Sequence, residues 1–102
     1  MIVYIAGKYR GKTIRETQQN IEKASDVAYK YWCLGYVVIC PHKNTSLFDD
    51  GDDDKYLNGD LEILKRCDAI VMIKDWEDSS GAKKELEVAK ENDLNIIFDI
   101  LI

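Results

Sequence analysis

Short apolar runs alternate with longer amphipathic stretches along the chain. Runs of β-branched and aromatic residues, which predict buried strands, cover 1–6, 36–40, 68–73 and 95–102. Stretches with apolar residues at helical spacing run from Thr13 to Gly35, cover 56–66, and begin again at Ser79 or Ser80. The predicted order is therefore strand, helix, strand, helix, strand, helix, strand.

Strict alternation of strands and helices is typical of a parallel sheet whose strands are joined through helices. Because the strands are apolar nearly throughout, helices are expected on both faces of the sheet. The sequence predicts an α/β fold, a doubly wound (flavodoxin- or Rossmann-like) parallel sheet of about four to five strands. A length of 102 residues predicts a single domain over 1–102.

In such sheets ligands bind beyond the carboxyl ends of the strands, near the point where the strand order reverses. The segments that follow strands there are 7–12, 40–54 and 74–81. The polar stretch from His42 to about Asp54 predicts a long, functional loop. Its acidic run at 49–54 lacks the spacing of an EF-hand, so a solvated flexible loop is a better explanation than a cation site.

The charge balance restricts the class of ligand. The chain has 14 Lys and Arg against 19 Asp and Glu, which gives a formal net charge of −5. A protein that binds a nucleic-acid polymer needs a basic surface, so no such partner is expected. One small anion held in a local pocket remains compatible with this composition.

Neither a membrane nor a metal is indicated. The apolar runs are far shorter than the ~20 residues of a membrane helix, and Met1 opens on a strand-like run instead of a signal peptide. The cysteines, Cys33, Cys40 and Cys67, show no CxxC spacing and form no recognisable ligand set with His42. We expect a cytoplasmic protein that needs no metal.

A first candidate motif lies between the first strand and the first helix. It contains Gly7, Lys8, Arg10 and Gly11. Backbone N–H groups at a helix N-terminus together with a guanidinium can hold a phosphate or a carboxylate. The spacing is neither GxGxxG nor a Walker loop, so an ordinary strand-to-helix turn explains it equally well.

A second constellation combines Asp60 on the middle helix with the start of the last helix, where Ser79, Gly81 and Glu85 lie. Two carboxylates converging on a ligand would allow one to attack a sugar carbon while the other handles the proton of the leaving group. A helix-surface Glu is more often solvated. Both interpretations stay open at this point.

Three sequence motifs together resemble the nucleoside 2-deoxyribosyltransferase superfamily over nearly the whole chain. They are Tyr4-Ile5-Ala6-Gly7 with Arg10-Gly11, Asp60-Leu61 ahead of Cys67-Asp68-Ala69-Ile70-Val71, and Ser79-x-Gly81-x-x-x-Glu85-x-x-x-Ala89. The Arg10-Gly11 pair is most similar to the branch of 2′-deoxynucleoside 5′-phosphate N-hydrolases. The short chain resembles small relatives found in phages and bacteria.

The resemblance implies a hydrolase or transferase that acts on the N-glycosidic bond of a 2′-deoxynucleoside 5′-monophosphate, without a cofactor. In the reaction that the resemblance implies, Glu85 is the nucleophile at the anomeric carbon, Asp60 assists departure of the base and Tyr4 orients Glu85. The implied substrate-binding residues are Gly7, Lys8, Arg10, Gly11, His42, Ser79 and Gly81, with Arg10, Gly11 and Ser79 at the 5′-phosphate. Lys8 stands where relatives usually have proline or a small residue.

Other function classes remain. The same pocket would suit a non-catalytic protein that senses or sequesters a nucleotide, and the fold would also suit an interaction module. A homodimer or a higher homo-oligomer is expected, because the apolar tail 96–102 lies near a sheet edge and Tyr29, Tyr31 and Trp32 add large apolar area on the first helix.

Overall fold

The computed structural model describes residues 1–48 and 50–99. Its strands are β1 (Ile2–Ala6), β2 (Val37–Ile39), β3 (Ala69–Ile73) and β4 (Asn95–Asp99). Its helices are α1 (Ile14–Cys33), α2 (Pro41–Asn44), α3 (Asp53–Leu64) and α4 (Ser80–Glu91), and a 3₁₀ turn spans Trp76–Asp78. No helix in these two ranges is long and apolar enough to cross a bilayer.

The strands form one parallel sheet in the order β2-β1-β3-β4. The chain first adds β2 on one side of β1 and then adds β3 on the other side, so the strand order reverses between β1 and β3. The predicted α/β class is confirmed, with four strands in the described part of the chain. The reversal places a ligand crevice at the carboxyl ends of the inner strands.

The two inner strands are buried on both faces, as their uninterrupted apolar sequences predict. Tyr4, Ile70 and Met72 pack on the face covered by α3 and α4. Val3, Ile5 and their neighbours on β3 pack on the other face against α1. Period-two alternation along β1 therefore directs Tyr4 toward the two later helices.

Helix α1 begins and ends where its sequence predicts. The Thr13 side chain accepts a hydrogen bond from the Glu16 N–H, and Gly35 adopts a positive φ of 97° just beyond the helix. The Glu16 side chain accepts from the N–H of Lys12 and not from that of Thr13, so one of the two hydrogen bonds of a capping box is formed here.

The predicted loop from His42 to about Asp54 is shorter in the structure, because a helix occupies part of it at each end. Its start is a single helical turn that Pro41 begins, since proline is well suited to the first position of a helix. At its end, α3 starts three residues earlier than the predicted 56, at Asp53, because the Asp52 side chain accepts the Lys55 N–H. Much of the acidic run is thus the cap and first turn of a helix, and Asp49 lies outside the described residues.

The sheet ends at β4, which is an edge strand. The sequence predicts a strand to residue 102; the structure has Asn95–Asp99, and the remaining 100–102 lie outside the described residues. Phe98 on this strand is half exposed and lies 5.9 Å, ring to ring, from Trp76. An apolar side chain thus stays exposed on the edge strand.

We predict that Gly59→Ala stabilises the protein. A Cβ at this exposed position inside α3 meets no atom within 4 Å, and alanine is favoured over glycine in a helix by about 0.5–1 kcal/mol. Thermal unfolding should therefore shift upward by roughly 3–6 °C. Gly35→Ala is the control: it has equally open space but a positive φ, so it should lower the melting temperature. A loss of stability in both variants would contradict the helical position of Gly59.

Candidate active site

A cavity of about 330 Å³ opens at the carboxyl ends of the strands. Its walls are the loop after β1, helix α2, one side of α3 and the beginning of α4. The three segments that the sequence selects all contribute lining residues. The doubly wound topology therefore creates the crevice, and the loops give it its chemistry.

Tyr4 and Glu85 form a buried hydrogen bond at this cavity. The Tyr4 hydroxyl donates to Glu85 Oε2, and both side chains are buried. Glu85 lies in the second turn of α4 and lines the cavity. Of the two interpretations that the sequence left open, the structure has the inward-facing one, so Glu85 is not a solvated surface residue.

Asp60 lines the same cavity from α3, and the two carboxyl groups interact electrostatically. Burial raises the pKa of Glu85 from 4.5 to about 8, the Tyr4 hydrogen bond opposes this rise, and the charge of Asp60 adds to it. Burial alone raises the pKa of Asp60 from 3.8 to about 6. Near neutral pH the pair therefore carries one proton, and these pKa values place it on Glu85 while Asp60 is ionised.

The N-terminus of α4 forms another wall of the cavity. The Ser79 side chain accepts the Ala82 N–H and so caps the helix, which selects Ser79 over Ser80. A Cβ at Gly81 would lie 3.8 Å from Ser79 Oγ and 3.9 Å from Leu57 Cδ1, which are ordinary contacts. Packing therefore does not require glycine at this position, and its small size leaves room on the cavity side.

The loop after β1 is held close to the sheet. A Cβ at Gly7 would lie 2.2 Å from Ile73 Cγ1, so only glycine fits there. Gly7, Lys8 and Arg10 line the cavity. Gly11 is absent from the described lining, since its N–H donates to Thr17 Oγ1 at 2.9 Å and the residue packs on Glu16.

His42 joins α2 to that loop. Its Nε2 donates to the Lys8 carbonyl at 3.2 Å, and its ring lies edge-on to Tyr9. Burial lowers the pKa of His42, which favours the neutral imidazole. His42 lines the cavity, as the sequence predicts, and it also fixes the position of the loop.

Arg10 is paired with a carboxylate. Its Nε and Nη2 atoms donate to the two oxygens of Asp53 at 2.9 and 2.8 Å, and both side chains are half exposed at the cavity. The guanidinium also lies over the Tyr9 ring. Hydrogen bonding to Arg10 holds the pKa of Asp53 below its usual value. The residue that the resemblance assigns to a phosphate thus already holds an anionic group.

Sequence reasoning missed the rest of the α3 wall. Asp53, Asp54, Tyr56 and Leu57 line the cavity with Asp60. They precede Asp60 by seven, six, four and three residues, and the first, third and fourth of these spacings place residues on one helical face. Helical periodicity counted backward from Asp60 was the signal that could have found them.

A group of metal-ligating side chains is not found within 1–48 and 50–99: no three His, Cys, Asp or Glu residues there are placed to hold an ion. Cys67 is buried in the core, and Cys40 is partly buried just before α2.

The comparisons with known proteins agree with this architecture. The family described as "Domain of unknown function (DUF4406)" matches residues 1–98. No curated protein matches the chain significantly. Among solved structures, the chain is similar to the 2-deoxyribosyltransferase of the psychrotolerant bacterium Bacillus psychrosaccharolyticus, with a TM-score of 0.67 and 21% identity. The match covers 96% of this chain and 71% of that one, and it shows a shared fold.

We predict that stability falls as the pH rises through the pKa values of the site. The folded state keeps a proton on Glu85 up to about pH 8, whereas the unfolded chain loses it near 4.5. The stabilisation of the fold that protonated Glu85 contributes is fully present below pH 4.5 and is lost as the pH approaches 8. The raised pKa of Asp60 acts in the same direction and lowers stability as the pH rises from 3.8 to about 6.

Melting temperatures measured across this range check the assignment. Glu85→Gln should flatten the decline between pH 6 and 8, because glutamine still accepts the Tyr4 hydrogen bond and does not titrate. Glu87→Gln, an exposed change on the same helix, should leave the decline unchanged. If Glu85→Gln and the parent protein lose stability in parallel, Glu85 is not the titrating group.

Proposed function

Because the chain belongs to the DUF4406 family and has the fold of a 2-deoxyribosyltransferase, we propose that residues 1–102 act as one domain that breaks N-glycosidic bonds. The substrate is a 2′-deoxynucleoside 5′-monophosphate, and the acceptor of the sugar is water or a second base. The observation that carries the proposal is that Glu85, which accepts a buried hydrogen bond from Tyr4, lines one cavity together with Asp60.

Glu85 is proposed as the nucleophile. Tyr4 holds Oε2, which leaves Oε1 to attack the anomeric carbon. A bond then forms between this oxygen and C1′ while the C1′–N bond breaks, and its electron pair stays on the base. A second inversion by water or another base resolves the glycosyl ester, so the configuration is retained.

Asp60 is proposed as the acid that protonates the departing base. The carboxyl pair shares one proton, and its transfer from Glu85 to Asp60 creates the nucleophile and the acid in one step. The pKa values of about 8 and about 6 make this form the minor one, by roughly a hundredfold. Positive charge that develops on the sugar favours the ionised Glu85 and so offsets this cost.

The phosphate end of the substrate is proposed to lie between the loop after β1 and the start of α4. Lys8 and Arg10 supply positive charge, and the capped helix N-terminus at Ser79 presents backbone N–H groups to the cavity. These groups line the cavity together with Glu85, so one nucleotide would contact both sets.

We predict that Glu85→Gln abolishes base release. The amide keeps the hydrogen bond from Tyr4 but cannot form the ester, so the rate should fall at least about a thousandfold. Asp60→Asn should lower the rate by about a hundredfold or more, the usual range for losing a general acid. Chromatography of the four deoxynucleoside monophosphates, with their nucleosides alongside, measures free base.

Glu87→Gln is the matched control, because it makes the same change at an exposed position of α4. Base release at the parental rate by Glu85→Gln would refute the proposed nucleophile. Binding of the nucleotides by the parent protein without any base release would instead identify a non-catalytic nucleotide-binding protein.

We further propose that the chain forms a homodimer or a larger homo-oligomer. Trp32 and Tyr29 on α1 and Phe98 on the edge strand expose large apolar side chains that a second copy would cover. Tyr31, which the sequence groups with them, is instead buried in the core. Light scattering should give a mass that is a multiple of 11.7 kDa at micromolar concentration. A monomer mass throughout a dilution series would contradict this expectation.

A further inference from the structure

The Arg10–Asp53 ion pair lies at the cavity. Arg10 belongs to the loop after β1, and Asp53 belongs to the first turn of α3. Both side chains line the cavity, and the contact is bidentate, with distances of 2.9 and 2.8 Å. The pair therefore joins two walls of the cavity.

The geometry of the pair is the geometry by which arginine binds phosphate. A guanidinium presents parallel N–H groups that match either two carboxylate oxygens or two phosphate oxygens. Asp53 takes the Nε and Nη2 donors of Arg10. A phosphate that uses this edge of the guanidinium must displace the Asp53 carboxylate.

The charges around the cavity give this displacement a consequence for specificity. Among its described lining residues, two are cations, Lys8 and Arg10. The carboxyl groups in the same lining are Asp53, Asp54, Asp60, Asp78 and Glu85. With Arg10 paired to Asp53, the binding of an uncharged nucleoside is not weakened. A monophosphate, in contrast, is repelled by a cavity lining that has more carboxyl groups than cations.

We infer that Asp53 is a specificity-determining residue that lowers the preference of the site for a 5′-phosphate by competing with it for Arg10. The inference rests on the proposed function in that the ligand is a deoxynucleoside or its monophosphate. The competition is modest. Half-exposed ion pairs contribute little to stability, so a phosphate can displace the carboxylate, but with reduced affinity.

Calorimetry with thymidine, deoxyadenosine and their 5′-monophosphates tests the inference at low ionic strength. Asp53→Asn should tighten monophosphate binding about two- to fivefold and leave nucleoside binding nearly unchanged. Asp54→Asn is the matched control. It removes the same charge from the adjacent residue of the same cavity wall, so it measures the general effect of charge. The gain in monophosphate affinity should be clearly smaller for Asp54→Asn than for Asp53→Asn.

A double-mutant cycle separates direct competition from a general charge effect. In an Arg10→Ala background, Asp53→Asn should no longer improve monophosphate binding, because the contested group is gone. An equal gain from Asp54→Asn, a gain that persists without Arg10, or no gain at all would each overturn the inference. Absence of binding by all variants would overturn it as well.

Base release by the same variants keeps this inference separate from the proposed function. Release of base together with no effect of Asp53→Asn on binding leaves the proposed reaction standing and removes the role of Asp53. Binding that changes as expected, without release of base from any ligand, supports the role of Asp53 and removes the proposed reaction.

Discussion

The hydrogen bond from Tyr4 to Glu85 connects the centre of the sheet with the cavity. Tyr4 is fully buried on an inner strand, and Glu85 is a buried carboxyl group on the helix that covers it. An ionisable group in this position costs free energy unless it is hydrogen-bonded or keeps its proton, and Glu85 does both. The parallel sheet makes the contact possible because its alternation directs Tyr4 toward α4.

The position of Glu85 lowers the stability of the fold and provides a group for the proposed reaction. A leucine at the position of Glu85 would suit the core, since its neighbours on that helix face, Ala82, Leu86 and Ala89, are all buried. A carboxyl group there weakens the fold at neutral pH, and in the proposed reaction it supplies the nucleophile. Strain and unfavourable burial of this kind are typical of functional positions, where local consistency is given up for chemistry.

Hydrophobic periodicity was sufficient for the fold and insufficient for the site. The strands, the helix order and the cap of α1 follow from spacings of two and of three to four residues, which are local. The contacts of the site are not: Tyr4 and Glu85 are 81 residues apart, and Arg10 and Asp53 are 43 apart. The acidic run misled for a different reason, because aspartate is common in loops and is also among the best helix caps.

The proposed reaction places two opposite electrostatic demands on the cavity. In the proposed reaction positive charge develops at the sugar, and carboxylates beside it stabilise that charge. A 5′-phosphate is instead disfavoured by the same carboxylates and needs cations or helix N–H groups.

The structure separates the two demands in space. Glu85 and Asp60 project from the bodies of α4 and α3, whereas Arg10 and Ser79 lie in the loop after β1 and at the α4 N-terminus. Asp53 lies at the boundary between these regions, since it belongs to the same helix as Asp60 and holds the arginine. A single substitution there is expected to change the binding of the phosphate without altering the pair of carboxyl groups that the proposed reaction uses.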